Sequence, residues 1–201
     1  VFINGKKTVI RDPLHAKANG IAMIFQELSY VPDMTLEEKL CLGRWPKKGA
    51  RIDWKTVLRR TLDLLKQEGL PYAPDVKLRS LSVSDIQMIE ILKAVSYDAR
   101  IIIMDEPTSA ITDKEVKVLF QKIADLKARG ASIIYISHKM DEIFQIADEI
   151  TVFRDGKSII TKDAADLTVD QVVEYMVGRK IDNQYPQEQI PIGDEILSVE
   201  G

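Results

Sequence analysis

The sequence predicts an α/β fold built on a mainly parallel sheet. Short apolar runs alternate with longer stretches of helical period, as strand–helix crossover units require. The runs Ile101 to Met104 (IIIM) and Ser132 to Ser137 (SIIYIS) are rich in β-branched residues, as expected of strands covered on both faces. Capping signals and glycines punctuate the helical stretches between them.

In chain order, Val1 to Ile3 (VFI) reads as the middle of a strand, which leads us to expect truncation at the N-terminus. Ile21 to Phe25 (IAMIF) is the next strand. Asp53 caps a helix through about Glu68, with Val57, Leu58, Leu62 and Leu65 on one stripe and Gly69 ending it. Ser82 or Ser84 caps another, in which Ile86, Ile89, Leu92 and Ala94 face a core. After the Ile101 strand, Thr112 and Glu115 form a capping box for a helix through Arg129, closed by Gly130. The Ser132 strand leads to a shorter helix with Met140, Ile143, Phe144 and Ala147 as its apolar face. EITVFRDGKSIIT is a hairpin turning at Asp155-Gly156, and Thr168 with Gln171 caps a last helix ending near Gly178. The stretch 179–194 (RKIDNQYPQEQIPIGD) is polar with two prolines and reads as a linker, and 195–201 (EILSVEG) as the start of a further strand. The expected organisation is one domain over 1–178 with a helical subdomain at about 29–97, the linker, and the first residues of a second domain.

The 201 residues are 45% hydrophobic and 29% charged, the balance of a globular chain. A net charge of −3 offers no global basic field for nucleic acid or an anionic membrane. Cys41, the single cysteine, excludes an internal disulfide. Trp45 and Trp54 read as packing residues, and His15 as a surface residue.

The chemistry concentrates at strand ends. IIIMDEPTSAIT drives a buried strand into two carboxylates, Asp105 and Glu106, and ligands of open α/β sheets sit outside such carboxyl ends. One carboxylate can hold hydrated Mg²⁺, and the other can polarise a water for in-line attack. The same Asp-Glu-Pro also suits a strand that simply ends in a turn. His138 closes the Ser132 strand and can bond a phosphate oxygen or be structural. Gln26 closes IAMIF. Ser82 and Ser84 stand at a helix N-terminus, where free N–H groups attract anions or are merely capped.

Taken in order and at these separations, the four stretches resemble the Q-loop, signature, Walker B with D-loop, and switch histidine of the ATP-binding cassette (ABC) family. The resemblance implies a P-loop NTPase-like nucleotide-binding domain with a helical subdomain, using ATP and Mg²⁺. Asp105 would position the metal through water, Glu106 would be the general base, and His138 would contact the γ-phosphate. Gln26 would sense the metal or attacking water and couple the site to a membrane subunit through the segment from about Ser29 to Val95. Ser82, Val83 and Ser84 would face nucleotide held by an opposite cassette, and Ser109 to Thr112 would be the D-loop crossing that seam.

FQELS, GRWP, MDEPTSA, ISHKMDEIF, VFRDGK and MVGR look like the monosaccharide-importer branch, of galactose/methyl-galactoside or ribose type. That branch carries two cassettes in one polypeptide. It implies permease subunits, an extracytoplasmic sugar-binding protein acting indirectly, a second cassette, no nucleic acid, and a peripheral place on the cytoplasmic face of the cell membrane.

Two departures stand out. The usual LSGGQ signature reads LSVSD at Leu81 to Asp85, placing a carboxylate where a phosphate would sit, and a like-charge contact at 4 Å costs about 4 kcal/mol near a protein surface. The phosphate-cradling G-x-x-x-x-G-K-[ST] is absent, and NGKKT at residues 4–8 does not replace it. The fragment alone is therefore expected to bind ATP poorly. A non-catalytic pseudo-cassette and a non-transport ABC ATPase are the alternatives. The latter usually carries coiled-coil or zinc-bearing insertions, and none is visible.

Overall fold

The computed structural model describes residues 1–3, 5–95 and 99–179, so the expected linker and second-domain strand lie outside the described residues apart from Arg179. The chain divides into two compact units, Val1–Ile146 and Ala147 onward.

In the first unit, β1 (Phe2–Ile3) and β2 (Lys6–Lys7) form a small antiparallel ribbon. Pro13 opens α1 (Pro13–Ala18), and the Asp12 carboxylate caps it by accepting from the His15 N–H at 2.7 Å. β3 (Ile21–Ile24), β6 (Ile101–Asp105) and β7 (Ser132–Ile136) make a three-stranded parallel sheet with β6 in the centre. The register pairs Ile24 with Met104 and Asp105 with Ile136.

Ile24, Ile102 and Met104 pack under α4 (Val83–Val95) and α5 (Asp113–Ala128), against Met88, Ile91, Leu119, Phe120, Ile123 and Leu126. The opposite face departs from the expectation of a sheet covered on both sides: Met23, Ile134 and Ile136 are 42%, 50% and 46% exposed. Strand alternation sends these residues away from α4 and α5, so β7 is buried on one face only.

A second core lies between α2 (Leu36–Cys41), α3 (Trp54–Gln67) and α4, with Leu36, Leu40, Leu65 and Ile89 at its centre. The stripe on α3 differs from the expectation. Val57, Thr61 and Leu65 are buried, whereas Leu58 and Leu62 face solvent. The buried row follows an i, i+4, i+8 line, and hydrophobicity alone drew Leu58 and Leu62 in and left Thr61 out. α4 belongs to both cores, which is why it is apolar almost all round. The buried Lys39 pairs with Glu90 of α4 and donates to the Ser29 carbonyl at 2.9 Å, fixing the segment that follows Gln26. β4 (Lys47–Lys48) and β5 (Arg51–Ile52) make a short ribbon, beside which Trp45 and Trp54 meet edge to face with centroids 5.6 Å apart. α6 (Met140–Ile146) completes the unit.

In the second unit, β8 (Glu149–Arg154) and β9 (Lys157–Asp163) form the expected hairpin. Asp155 and Gly156 at its turn take φ of +52° and +73°, as a type I′ turn requires. α7 (Val169–Val177) opens on the Thr168–Gln171 capping box and closes on Gly178 at φ +83°.

Candidate functional site

The parallel register carries the ends of three strands to one edge of the sheet. β6 runs one residue further than the sequence suggests, so Asp105 closes the strand and Glu106 begins the turn. The Glu106 N–H is held by the Ile136 carbonyl of β7 at 2.9 Å, and its own carbonyl accepts from the Ser109 N–H at 3.2 Å. This geometry puts Glu106 at φ +43°, a left-handed conformation that costs a non-glycine residue on the order of 1–3 kcal/mol. Such strain survives where the surroundings enforce it.

The surroundings are Gln26 and His138. Gln26 Nε2 donates to Glu106 Oε2 at 2.9 Å, and His138 Nδ1 lies 2.8 Å from Glu106 Oε1. One carboxylate thus joins the ends of β3, β6 and β7. An ionised carboxylate only accepts, so the His138 proton on this contact belongs to Nδ1. Nε2 is left facing outward on a ring that is 68% exposed, while Glu106 is only 26% exposed.

Asp105 is free of hydrogen bonds and ion pairs at its carboxylate among the described residues, and Gln26 Oε1 is equally unengaged. No group of three or more His, Cys, Asp or Glu that could hold a metal occurs among the described residues. This donor set fits Mg²⁺, which takes hard oxygen ligands, keeps several waters and needs one or two protein oxygens rather than a complete cage.

The signature stretch takes the first of its two expected caps. Ser82 is the cap and Ser84 lies inside the first turn of α4. Asp85 turns back on the cap: its Oδ2 accepts from Ser82 Oγ at 2.6 Å and from the Ser82 N–H at 3.2 Å, while Ser82 Oγ accepts from the Asp85 N–H at 3.1 Å. Burial pushes the Asp85 carboxyl up, but hydrogen bonds from Ser82 and Tyr72 outweigh it and hold the group below the usual aspartate range. Burial and that same carboxylate push the Tyr72 hydroxyl up to about 12. The acid therefore serves its own helix terminus. Val83 is 54% exposed. Among the described residues, no hydrogen bond or ion pair joins Ser82, Val83 or Ser84 to Glu106, His138 or Gln26. Ser109 stands in the turn after Glu106 and is exposed.

Glu142, in α6, went unnoticed in the sequence. It is 8% exposed and carries four contacts: Tyr135 OH donates to its Oε2 at 2.7 Å, Thr108 Oγ1 at 2.9 Å and Ser137 Oγ at 3.4 Å, and Lys139 Nζ lies 3.1 Å from Oε1. Burial raises this carboxyl, and the donors from Tyr135, Thr108 and Lys139 more than reverse it, leaving it below the usual glutamate range. It lies within the ISHKMDEIF stretch, but that stretch gives it no role, because its partners are scattered over two loops and a strand.

A parallel α/β core that gathers carboxylate, amide and imidazole at its strand ends is the architecture of a P-loop nucleotide-hydrolase fold. Comparison with known proteins narrows this. The ABC transporter family (ABC_tran) matches residues 1–109. A Burkholderia lata protein, provisionally named for ribose/galactose/methyl galactoside import, is 48% identical over 200 residues, covering 99% of this chain and 38% of its own length. A galactose/methyl galactoside import ATP-binding protein of Clostridium perfringens is 46% identical over 199 residues, covering 99% of this chain and 39% of its own. The crystal structure of the ADP conformation of an ABC transporter cassette superposes with a TM-score of 0.68 at 24% identity, over 89% of this chain and 76% of that one. The chain belongs to the ABC transporter family. It spans about two-fifths of the length of the curated relatives it matches.

Proposed function

We propose that this chain is part of the ATP-hydrolysing subunit of a monosaccharide ABC importer, an ABC-type transporting ATPase whose full-length polypeptide couples hydrolysis to sugar uptake. The observation that carries the reading is the Glu106 carboxylate, held between Gln26 and His138 at the ends of three parallel strands. The names of the import ATP-binding relatives support the sugar class, galactose/methyl galactoside or ribose.

In this reading Glu106 takes the proton of the attacking water. It is strained, partly shielded and acceptor-only, as a general base aimed at one water should be. His138, once its ring turns from Glu106 or carries a second proton, offers an N–H to a γ-phosphate oxygen. Asp105, with Gln26 Oε1, would hold Mg²⁺, which when bound neutralises developing phosphate charge. The Gln26–Glu106 bond makes the state of the site readable at Gln26, and the Lys39-anchored segment behind it leads into the helical subdomain that would face a permease subunit. Ser82, Val83, Ser84 and Ser109 would line the seam with a second cassette of the same polypeptide. A sugar-binding protein would act indirectly, through the permease.

Among the described residues no helix is long and apolar enough to cross a membrane. The importer reading puts the subunit at the cytoplasmic face of the membrane, as a peripheral component. The test is reconstitution of the full-length polypeptide with its permease in vesicles. Sugar uptake that needs ATP and stops with Glu106→Gln is expected. Uptake unaffected by Glu106→Gln overturns the assignment.

A further inference from the structure

We propose that Glu142 is a positioning residue for the Glu106–His138 pair, one buried carboxylate fastening both loops that carry the pair. This deepens the reading above and rests on it. The pair spans two loops, residues 106–109 after β6 and 137–139 after β7, and a 2.8 Å contact between them needs both held still. Glu142 holds both.

On the Glu106 side, Thr108 donates to Glu142 at 2.9 Å from a side chain 3% exposed, two residues from the base. On the His138 side, the residues before and after the imidazole are both tied to it. Ser137 Oγ donates to Glu142 Oε2 at 3.4 Å, and Lys139 Nζ sits 3.1 Å from Oε1. The two sides are also cross-linked, since Lys139 Nζ donates to the Thr108 carbonyl at 3.4 Å and to its hydroxyl at 3.3 Å, and the Lys139 N–H donates to Ser137 Oγ at 3.1 Å. Tyr135, donating at 2.7 Å from within β7, anchors the hub to the sheet.

A buried carboxylate is retained only with such partners, and here it accepts from four side chains. Tyr135 and Thr108 alone would satisfy Oε2. The addition of Ser137 and Lys139, which bracket His138, makes the hub a clamp on the imidazole loop rather than a helix anchor only. Neutralising Glu142 leaves Lys139 without its carboxylate and frees both loops, so Glu106 and His138 lose their fixed spacing while both side chains stay chemically intact.

The test uses the full-length polypeptide with its permease, comparing Glu142→Gln, Glu142→Asp and the core variant Leu119→Ala. Glu142→Gln is expected to lower kcat for ATP hydrolysis about tenfold to a hundredfold, the scale of a misplaced reacting group, with KM for ATP nearly unchanged. Glu142→Asp is expected to restore part of the rate. Leu119→Ala, whose side chain is fully buried in the sheet core, should lower Tm at least as far and keep kcat. In full-length protein labelled with ¹⁵N-histidine and assigned with His138→Gln, the His138 imidazole resonance should move in Glu142→Gln and not in Leu119→Ala. A Glu142→Gln protein that loses Tm but keeps both kcat and the His138 resonance overturns the proposal. If Glu142→Gln does not fold, Thr108→Val removes one arm of the clamp and should move the same resonance. An unmoved resonance there overturns the proposal equally. If wild type hydrolyses no ATP and Glu106→Gln changes nothing, the functional reading fails, and the resonance alone still decides the positioning role.

Discussion

His138 Nδ1 and Glu106 Oε1 meet at 2.8 Å across 32 residues of chain, because two adjacent parallel strands end in register. Extending the β6–β7 ladder through Asp105 and Ile136 places Glu106 immediately beside the imidazole loop. Glu106→Gln keeps the side-chain length but replaces one carboxylate oxygen with a donor, so it can no longer accept a proton from water. We expect nucleotide affinity of the full-length protein to hold and turnover to fall by about 10²–10⁴, the usual contribution of a general base. Phosphate release and nucleotide titration, measured side by side, check this.

The Ser82–Asp85 box gives a stability expectation independent of catalysis. Ser82→Ala removes the hydroxyl that accepts from the Asp85 N–H and donates to its carboxylate. Loss of such a cap costs about 1 kcal/mol, or roughly 2–4 °C in Tm for a chain of this size. The thermal melt should show that drop, and an unchanged Tm would mean that α4 does not depend on its cap.

Gln87 is fully buried on α4, and among the described residues neither its Nε2 nor its Oε1 has a hydrogen-bond partner. Leaving polar atoms unpaired in a core costs about 1–3 kcal/mol. Gln87→Met fills nearly the same space with no polar atom, so Tm should rise. A falling Tm in the melt would show that the amide has a role that burial and hydrogen bonding do not reveal.

The legible parts of the fold were those with local signals. The strand at Ile101, the Thr112–Glu115 box and the Asp155-Gly156 hairpin depend on neighbouring residues, and all are present, the strand running one residue further, to Asp105. The stripe on α3 differs from its hydrophobic pattern because Thr61 is buried by its place on the helix face, which hydrophobicity does not encode. In the site, Gln26, Glu106 and His138 were each weak alone, and their convergence follows from strand order, a property no single stretch carries. The sequence offers Asp85 as a charge near a phosphate position and does not show what holds it. The structure engages it with Ser82 and Tyr72, because a Ser-x-x-Asp spacing satisfies its own helix terminus. Glu142 stands inside the ISHKMDEIF stretch, but its role is not legible there, because its four partners come together only after the sheet forms.

That hub also sets a pH dependence. The Glu142 carboxyl is held below its ordinary value near 4.5, so the folded protein binds this proton less readily than the unfolded chain does. Its contribution to stability is therefore complete above the ordinary glutamate value and is lost as pH falls through the lower, folded value. Asp85, depressed in the same direction by Ser82 and Tyr72, adds to the same acid limb. Melts taken from about pH 6 down to about pH 3 should show Tm falling with acid across the carboxylate range. In Glu142→Gln the fall should be shallower, since one of the carboxylates that release protons on folding is gone, and Glu142→Gln combined with Asp85→Asn should flatten it further, leaving the part due to Glu38, Asp53 and Glu115. A wild-type and double-variant acid limb of equal steepness would show that neither carboxylate is more acidic in the folded state.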